Sequence, residues 1–262
     1  MSVFIKEPFS EYLARGKTHM RSGPLGLFRE SPYKYWAERE GILAKKDSTA
    51  YSFGRAVHSL ILEGNEALLA EYTSIPEELR NINKNKKEYQ DWKKAQTKYI
   101  LDDSEVIALK RMQDNVKAHE SAGGLLSEGV SENTVLGEWQ GRPCQVRIDH
   151  FNNHIVDLKT TRNLDGFEYD ARQFKYNNQM AFYRDVYASA SDADFPPYVY
   201  IIAVEKIAPY RVGVWKLKDD WLELGHVENV RAMKELAVCE EFNNWPHGFE
   251  KMRELGFYEG RK

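Results

Sequence analysis

The chain has 262 residues, a formal net charge of −3, 42% hydrophobic and 29% charged residues, the composition of an ordinary folded domain. This balance excludes a globally basic coat for nucleic acid but leaves room for a local basic groove, because steering depends on how charge is distributed. Two cysteines, Cys144 and Cys239, exclude a disulfide framework and an iron–sulfur cluster held by four thiolates. No apolar run reaches transmembrane length and no signal-peptide pattern opens the chain, so the expected compartment is the cytoplasm.

Residues 1–22 are mixed and expected to be partly extended. Residues 24–40 read as a helical region interrupted at Ser31-Pro32, with Tyr33, Tyr35 and Trp36 as an aromatic face. Residues 50–63 form an amphipathic helix whose stripe is Phe53, Val57, Leu60 and Ile61, with Gly64-Asn65 as its stop. Residues 77–121 are helical by composition. Within them Lys84, Lys86, Lys87, Lys93, Lys94 and Lys98 interleave with Tyr89 and Trp92, which reads either as a track along a DNA backbone or, more ordinarily, as a solvated face.

After Gly123-Gly124 the period changes to two, and three strands are expected at 133–139, 142–150 and 154–160. A helix at 174–190, strands at 197–205 and 210–217 and a long helix at 219–243 follow. The order implies an α/β (mixed α+β) fold, with a mixed sheet flanked by helices, a crossover helix and a helical N-terminal extension. We expect one domain over 1–262, helical to about 130 and sheet core beyond.

The chemistry concentrates in the hairpin around residues 146–159. With Phe151, Asn152 and Asn153 as a three-residue turn, His150 faces His154, Ile148 faces Val156 and Val146 faces Leu158, giving one apolar face. The other face then carries Arg147, Asp149, Asp157 and Lys159. Arg147 is expected opposite Asp157, with Asp149 diagonal to it at about 7–8 Å, close enough for both carboxylates to share one divalent cation. A two-residue turn would separate them, so the metal reading requires this turn length. Asp157 lies in an apolar strand, where a carboxylate needs a compensating partner. His150 and His154 fall on the opposite face and receive no catalytic role.

His58 borders the apolar stripe of its helix, and Gly54 one turn before it leaves room for a strand or an ion. Imidazole suits manganese better than magnesium, and the bland reading is a hydrogen-bonded boundary histidine. Glu138 reads equally as a second-site metal ligand or as a plain edge-strand acid, depending on whether the Gln140-Gly141 turn has two residues or three. Gln179 and Tyr183 share one helix face, suited to phosphate or sugar contacts or to half-burial beside Met180 and Phe182. Arg172 and Lys175 could meet phosphate or simply be solvated.

In order along the chain, Gly54-x-x-x-His58, Asp149, Asp157-Leu158-Lys159-Thr160-Thr161 and Gln179-x-x-x-Tyr183 resemble the PD-(D/E)xK nuclease superfamily, and within it the RecE-type exonucleases (exonuclease VIII-like). Ser31-Pro32 with Tyr35-Trp36, and Trp245-Pro246, add to the likeness. The proline of the superfamily's proline–aspartate pair is absent, since Ile148 precedes Asp149. The resemblance implies a double-stranded DNA exonuclease working 5′ to 3′ and leaving 3′ single strands. It implies magnesium, with manganese able to substitute, a toroidal homotetramer and a single-strand annealing recombinase as partner. It assigns His58, Asp149, Asp157 and the Leu158 carbonyl as metal ligands. It also implies that Lys159 orients or activates water and that Gln179 and Tyr183 make contacts near the scissile end. The alternatives are an endonuclease of the same superfamily and a non-catalytic DNA-binding protein whose carboxylates are structural ion pairs, the reading that Arg147 opposite Asp157 favours.

Overall fold

The computed structural model describes residues 3–43, 49–191 and 196–254. Three short helices open the chain: α1 (Phe9–Arg15), α2 (Ser22–Glu30) and α3 (Pro32–Arg39). The Ser31-Pro32 break is a cap: Ser31 Oγ accepts the Lys34 amide and Pro32 takes the first helical position, where its missing N–H costs nothing. The segment before α2 joins the sheet at Ile5, bridged to Thr134, and at Met20, bridged to Cys144.

Helix α4 (Thr49–His58) runs into a π-helical turn, Ser59–Glu63, and stops at Gly64 with φ +93°, a conformation that favours glycine. Then come α5 (Asn65–Glu71), β1 (Tyr72–Ser74), α6 (Glu77–Arg80), α7 (Lys87–Ala95), β2 (Tyr99–Leu101), α8 (Asp103–Ala118) and α9 (Glu120–Leu125). The region expected to be helical over 77–121 is therefore broken. Tyr99, Ile100 and Leu101 pair in parallel with Tyr72, Thr73 and Ser74, and Asp102 starts α8 with a capping box to Glu105.

The main sheet has the order β3-β4-β5-β6-β7: β3 (Val130–Trp139), β4 (Arg142–Phe151), β5 (Ile155–Thr161), β6 (Val199–Glu205) and β7 (Val212–Lys216). β5 and β6 are parallel; the other neighbours are antiparallel. The crossover from β5 to β6 carries α10 (Phe167–Gln173) and α11 (Tyr176–Ala190), and α12 (Asp219–Phe242) closes the fold. The mixed α/β architecture is the one the element order implied. One core lies between the sheet and α2, α11 and α12, around Val146, Ile148, Phe182 and Leu236. The other lies beneath α4 and α8, around Val57, Met112, Val156 and Leu158. Near α3, Tyr35 packs on Trp245 and the Tyr33 amide donates to the Pro246 carbonyl, joining two motifs far apart in sequence.

Two contacts fix the layer that carries α11. A Cβ at Gly225 would come within 2.6 Å of the Asn177 carbonyl oxygen, so α12 can pass α11 this closely only without a side chain. Gly225→Ala is expected to destabilise the protein by about 1–3 kcal/mol, read as a lower melting temperature at unchanged protein concentration. At the end of β6, the Glu205 carboxylate accepts from the Arg211 guanidinium and the Leu164 amide. These bonds, led by Arg211, hold its pKa down at about 2. A carboxylate depressed in the folded state adds stability that is present above its unfolded value, about 4.3, and is lost as pH falls towards 2. Glu205→Gln should therefore cost stability at pH 7 and much less near pH 2.5; equal losses at both would exclude this ion pair as the cause.

Candidate active site

The cleft forms where β4 leaves β5. Their ladder pairs Phe151 with Ile155 and His150 with Val156, then stops. The loop is Asn152, Asn153 and His154, with Asn153 at φ +70°, a conformation asparagine tolerates. It has three residues, as expected, but sits one position later. The register is thus shifted by two at the turn, and the ladder does not continue past His150 and Val156.

Two expected details change as a result. Val146 and Ile148 do not form one apolar face with Val156 and Leu158; the pairs enter opposite cores, because the strands separate between them. Arg147 does not neutralise Asp157: its Nε lies 2.7 Å from Glu132 Oε2 and its Nη1 donates to the Glu7 carbonyl at 3.1 Å.

In the gap the Asp149 carboxylate replaces the missing ladder bond. Its Oδ2 accepts the Leu158 amide at 2.8 Å. A strand residue turns its carbonyl to the same edge as its amide, so Leu158 presents its carbonyl there too. From the other layer, α4 delivers His58, whose Nδ1 lies 3.5 Å from Asp149 Oδ2 and 3.6 Å from Glu132 Oε1. One ligand atom each from His58, Glu132 and Asp149 lie within 4.8 Å of one another. The Gly54 expectation is only half met: a Cβ there would meet Thr160 Oγ1 at an ordinary 3.7 Å, so close approach does not require glycine.

Asp157 and Lys159 project from β5 beneath α11. Asp157 is 2% exposed, and Lys159 Nζ lies 2.6 Å from its Oδ2. Lys159 also donates to Gln179 Oε1 at 3.2 Å, and Gln179 Nε2 donates to the Tyr183 hydroxyl at 3.3 Å. The Tyr176 ring lies 4.9 Å beneath the ammonium, a cation–π contact that the sequence reading missed. His58, Glu132, Asp149, Asp157, Lys159, Gln179 and Tyr183 line a cleft of about 440 Å³ together with Phe9, Tyr12 and Arg55, and Tyr176 lies outside the lining.

Every residue the sequence placed in the site lines this cleft except Glu138. Glu138 is exposed and pairs with Pro143, six residues and about 20 Å along β3 from Glu132. Glu132 supplies the carboxylate instead. It faces Asp149 in a register that pairs Ser131 with His150 and Asn133 with Ile148, and its φ is +53°. The signal was the Gln140-Gly141 turn, which has two residues, both at positive φ; counting back from it puts Glu132 across from Asp149. Arg172, Lys175 and the lysines of 84–98 lie outside the lining. His150 bonds to the Glu128 carbonyl and Ser131 Oγ, and His154 packs on Tyr198 and Tyr200, so neither enters the site.

The electrostatics suit a cation. Burial raises Asp149 to about 7, helped by the charges of Asp157 and Glu132 against the pull of His58 and Lys159. Burial alone would depress His58, but Asp149 and Glu132 overcome it and raise it to about 9. Burial also opposes the Lys159 charge, yet Asp157 and Asp149 hold its pKa above the ordinary lysine value. Asp157 Oδ2 is buried with no hydrogen bond of good geometry. Carboxylates crowded this way fit a divalent ion.

The fold and cleft together define a class: a PD-(D/E)xK-type nuclease fold with a candidate divalent-metal site. The family described as PDDEXK-like domain of unknown function (DUF3799) matches residues 24–254, and the chain belongs to it. Among solved structures the chain is similar to a crystal structure of a candidate exonuclease from Eubacterium rectale, at TM-score 0.67 and 13% identity over 97% of each chain, a likeness of fold. No curated protein matches. Among the described residues no helix is long and apolar enough to cross a membrane.

Proposed function

We propose that this protein is a metal-dependent exonuclease of double-stranded DNA, running 5′ to 3′ and leaving 3′ single strands for annealing-type recombination. The observation that carries the hydrolytic reading is the convergence of His58, Glu132 and Asp149 at the break between β4 and β5, with Asp157 and Lys159 on the adjoining strand. Polarity, the RecE-type assignment, a toroidal homotetramer, an annealing partner and a cytoplasmic setting rest on the sequence resemblance.

His58, Glu132 and Asp149 would hold the ion, magnesium or manganese, with Asp157 and the Leu158 carbonyl beside it. A bound divalent cation supplies Lewis-acid polarisation of the phosphate and makes water acidic enough to act as nucleophile. Lys159, kept protonated by its two acidic neighbours, cannot accept a proton from water. It orients water through its N–H donors and stabilises negative charge developing on the phosphate. Gln179 and Tyr176 hold the ammonium in place. Arg147 pairs with Glu132 instead of Asp157, so the structural ion-pair reading now attaches to Glu132.

The test is a linear duplex labelled at one 5′ end, followed over time in magnesium and in EDTA, beside a covalently closed circle. Early release of labelled nucleotides with the circle intact is expected. Cutting of the circle would show an endonuclease; binding without cleavage in magnesium would remove hydrolysis.

A further inference from the structure

A second cleft, of about 320 Å³, lies on the same face of the sheet as Asp157, between α10, β7 and the start of α12. Asp157 pairs with Ile201 and Ile201 with Trp215, so the three form one row across the sheet. Partners across a sheet share a face, and strands lie about 4.8 Å apart, which puts Trp215 about 10 Å from Asp157 at the backbone. Rings link the two clefts: Tyr176 under Lys159, Phe167 at 6.0 Å from Tyr176, and Trp215 at 4.5 Å from Phe167.

The second cleft is aromatic at its base and cationic at its rim. Trp215 and Trp221 are half-buried, and Arg172, Lys216 and Lys218 are exposed around them. The acid that lines it, Glu168, is engaged by Arg172 and by the Trp215 indole. Indole rings within reach of three cations complement one chemistry well: a flat, uncharged base attached to phosphates. Base–aromatic stacking and backbone neutralisation are how single strands are gripped without reading sequence.

We propose that this cleft is a stacking subsite for an unpaired nucleotide of single-stranded DNA, next to the hydrolytic cleft. The proposal rests on the nuclease reading for its context, but its test does not depend on cleavage. Fluorescently labelled oligo-dT is titrated by anisotropy in EDTA, over a range of salt, with the whole chain and two variants. Trp221→Ala should weaken binding at least about fivefold, the contribution of one stacked base. The exposed pair Lys216→Gln/Lys218→Gln gives up a cation–π contact of Lys216 with Tyr198 but should stay folded, and should make the salt dependence of log K shallower by about 1.4, two lost phosphate contacts on a single strand.

If the lysine variant folds and binds oligo-dT with the parent affinity and salt slope, the subsite is overturned, whatever the chain does to duplex DNA. A parent protein that does not bind oligo-dT overturns it too, as does a change of oligomeric state, without loss of binding, in both variants. Loss of binding in the variants of a chain that never cleaves DNA would retain the subsite and sink the nuclease reading instead.

Discussion

Lys159→Ala is expected to slow DNA cleavage by about a hundred- to a thousandfold, the usual loss on removing one preorganised donor from a transition-state site. The side chain sits between Asp157 Oδ2 and Gln179 Oε1 and is not one of the three converging ligand groups. Stabilisation by added metal should therefore survive. The variant carries a second effect that must be separated from the first. Asp157 is almost fully buried, and removing the one partner of a buried charge costs about 3–5 kcal/mol. Lys159→Met/Asp157→Asn removes both charges, so it should recover much of the stability and none of the turnover. Single-turnover cleavage with thermal denaturation reads both quantities. Full turnover by Lys159→Ala would take lysine out of the mechanism.

The site was legible in the sequence to the extent that it depends on parity. Side chains on a strand alternate, so Asp157 and Lys159 had to share a face, and a three-residue loop had to bring Asp149 to the same cleft. For Asp149 the same count was not enough: Val146 and Ile148 enter one core and Val156 and Leu158 the other, so Asp149 and Asp157 reach the cleft from opposite sides of the break rather than from one continuous face. What parity cannot show is where a ladder stops. Arg147 was read against Asp157 on the assumption of a continuous hairpin, whereas β4 leaves β5 after His150 and Val156. That same separation opens the gap in which Asp149 meets Leu158.

Glu132 and Tyr176 were missed for different reasons. Glu132 required β3 to begin at Val130 rather than 133, and its positive φ hides it from an alternating pattern. Tyr176 reaches Lys159 through tertiary packing of the α11 start on β5, a contact with no spacing signature. The broken segment at 77–121 failed for a third reason: the strand Tyr99–Leu101 is three residues long, too short for any period to register, and exists because it pairs with Tyr72–Ser74.

Saturating magnesium or manganese is expected to raise the melting temperature by about 5–10 °C, since a ligand at a hundred times its Kd adds about 2.7 kcal/mol to a chain of this size. Relief of repulsion contributes, because Asp149 is crowded by Asp157 and Glu132 and held near 7 without the ion. Manganese should act at lower concentration than magnesium, since one of the three groups is an imidazole. The pH dependence has a definite sign. An ion must displace a proton from Asp149 below about pH 7 and from His58 below about pH 9, so the shift should grow as pH rises from 6 to 9. Asp149→Ala and His58→Ala should abolish most of it. Asp157→Ala decides whether the second strand shares the ion: an undiminished shift would confine the ligands to His58, Glu132 and Asp149. An undiminished shift in Asp149→Ala, or no shift in the parent protein at any pH, would leave these carboxylates without the cation on which hydrolysis depends.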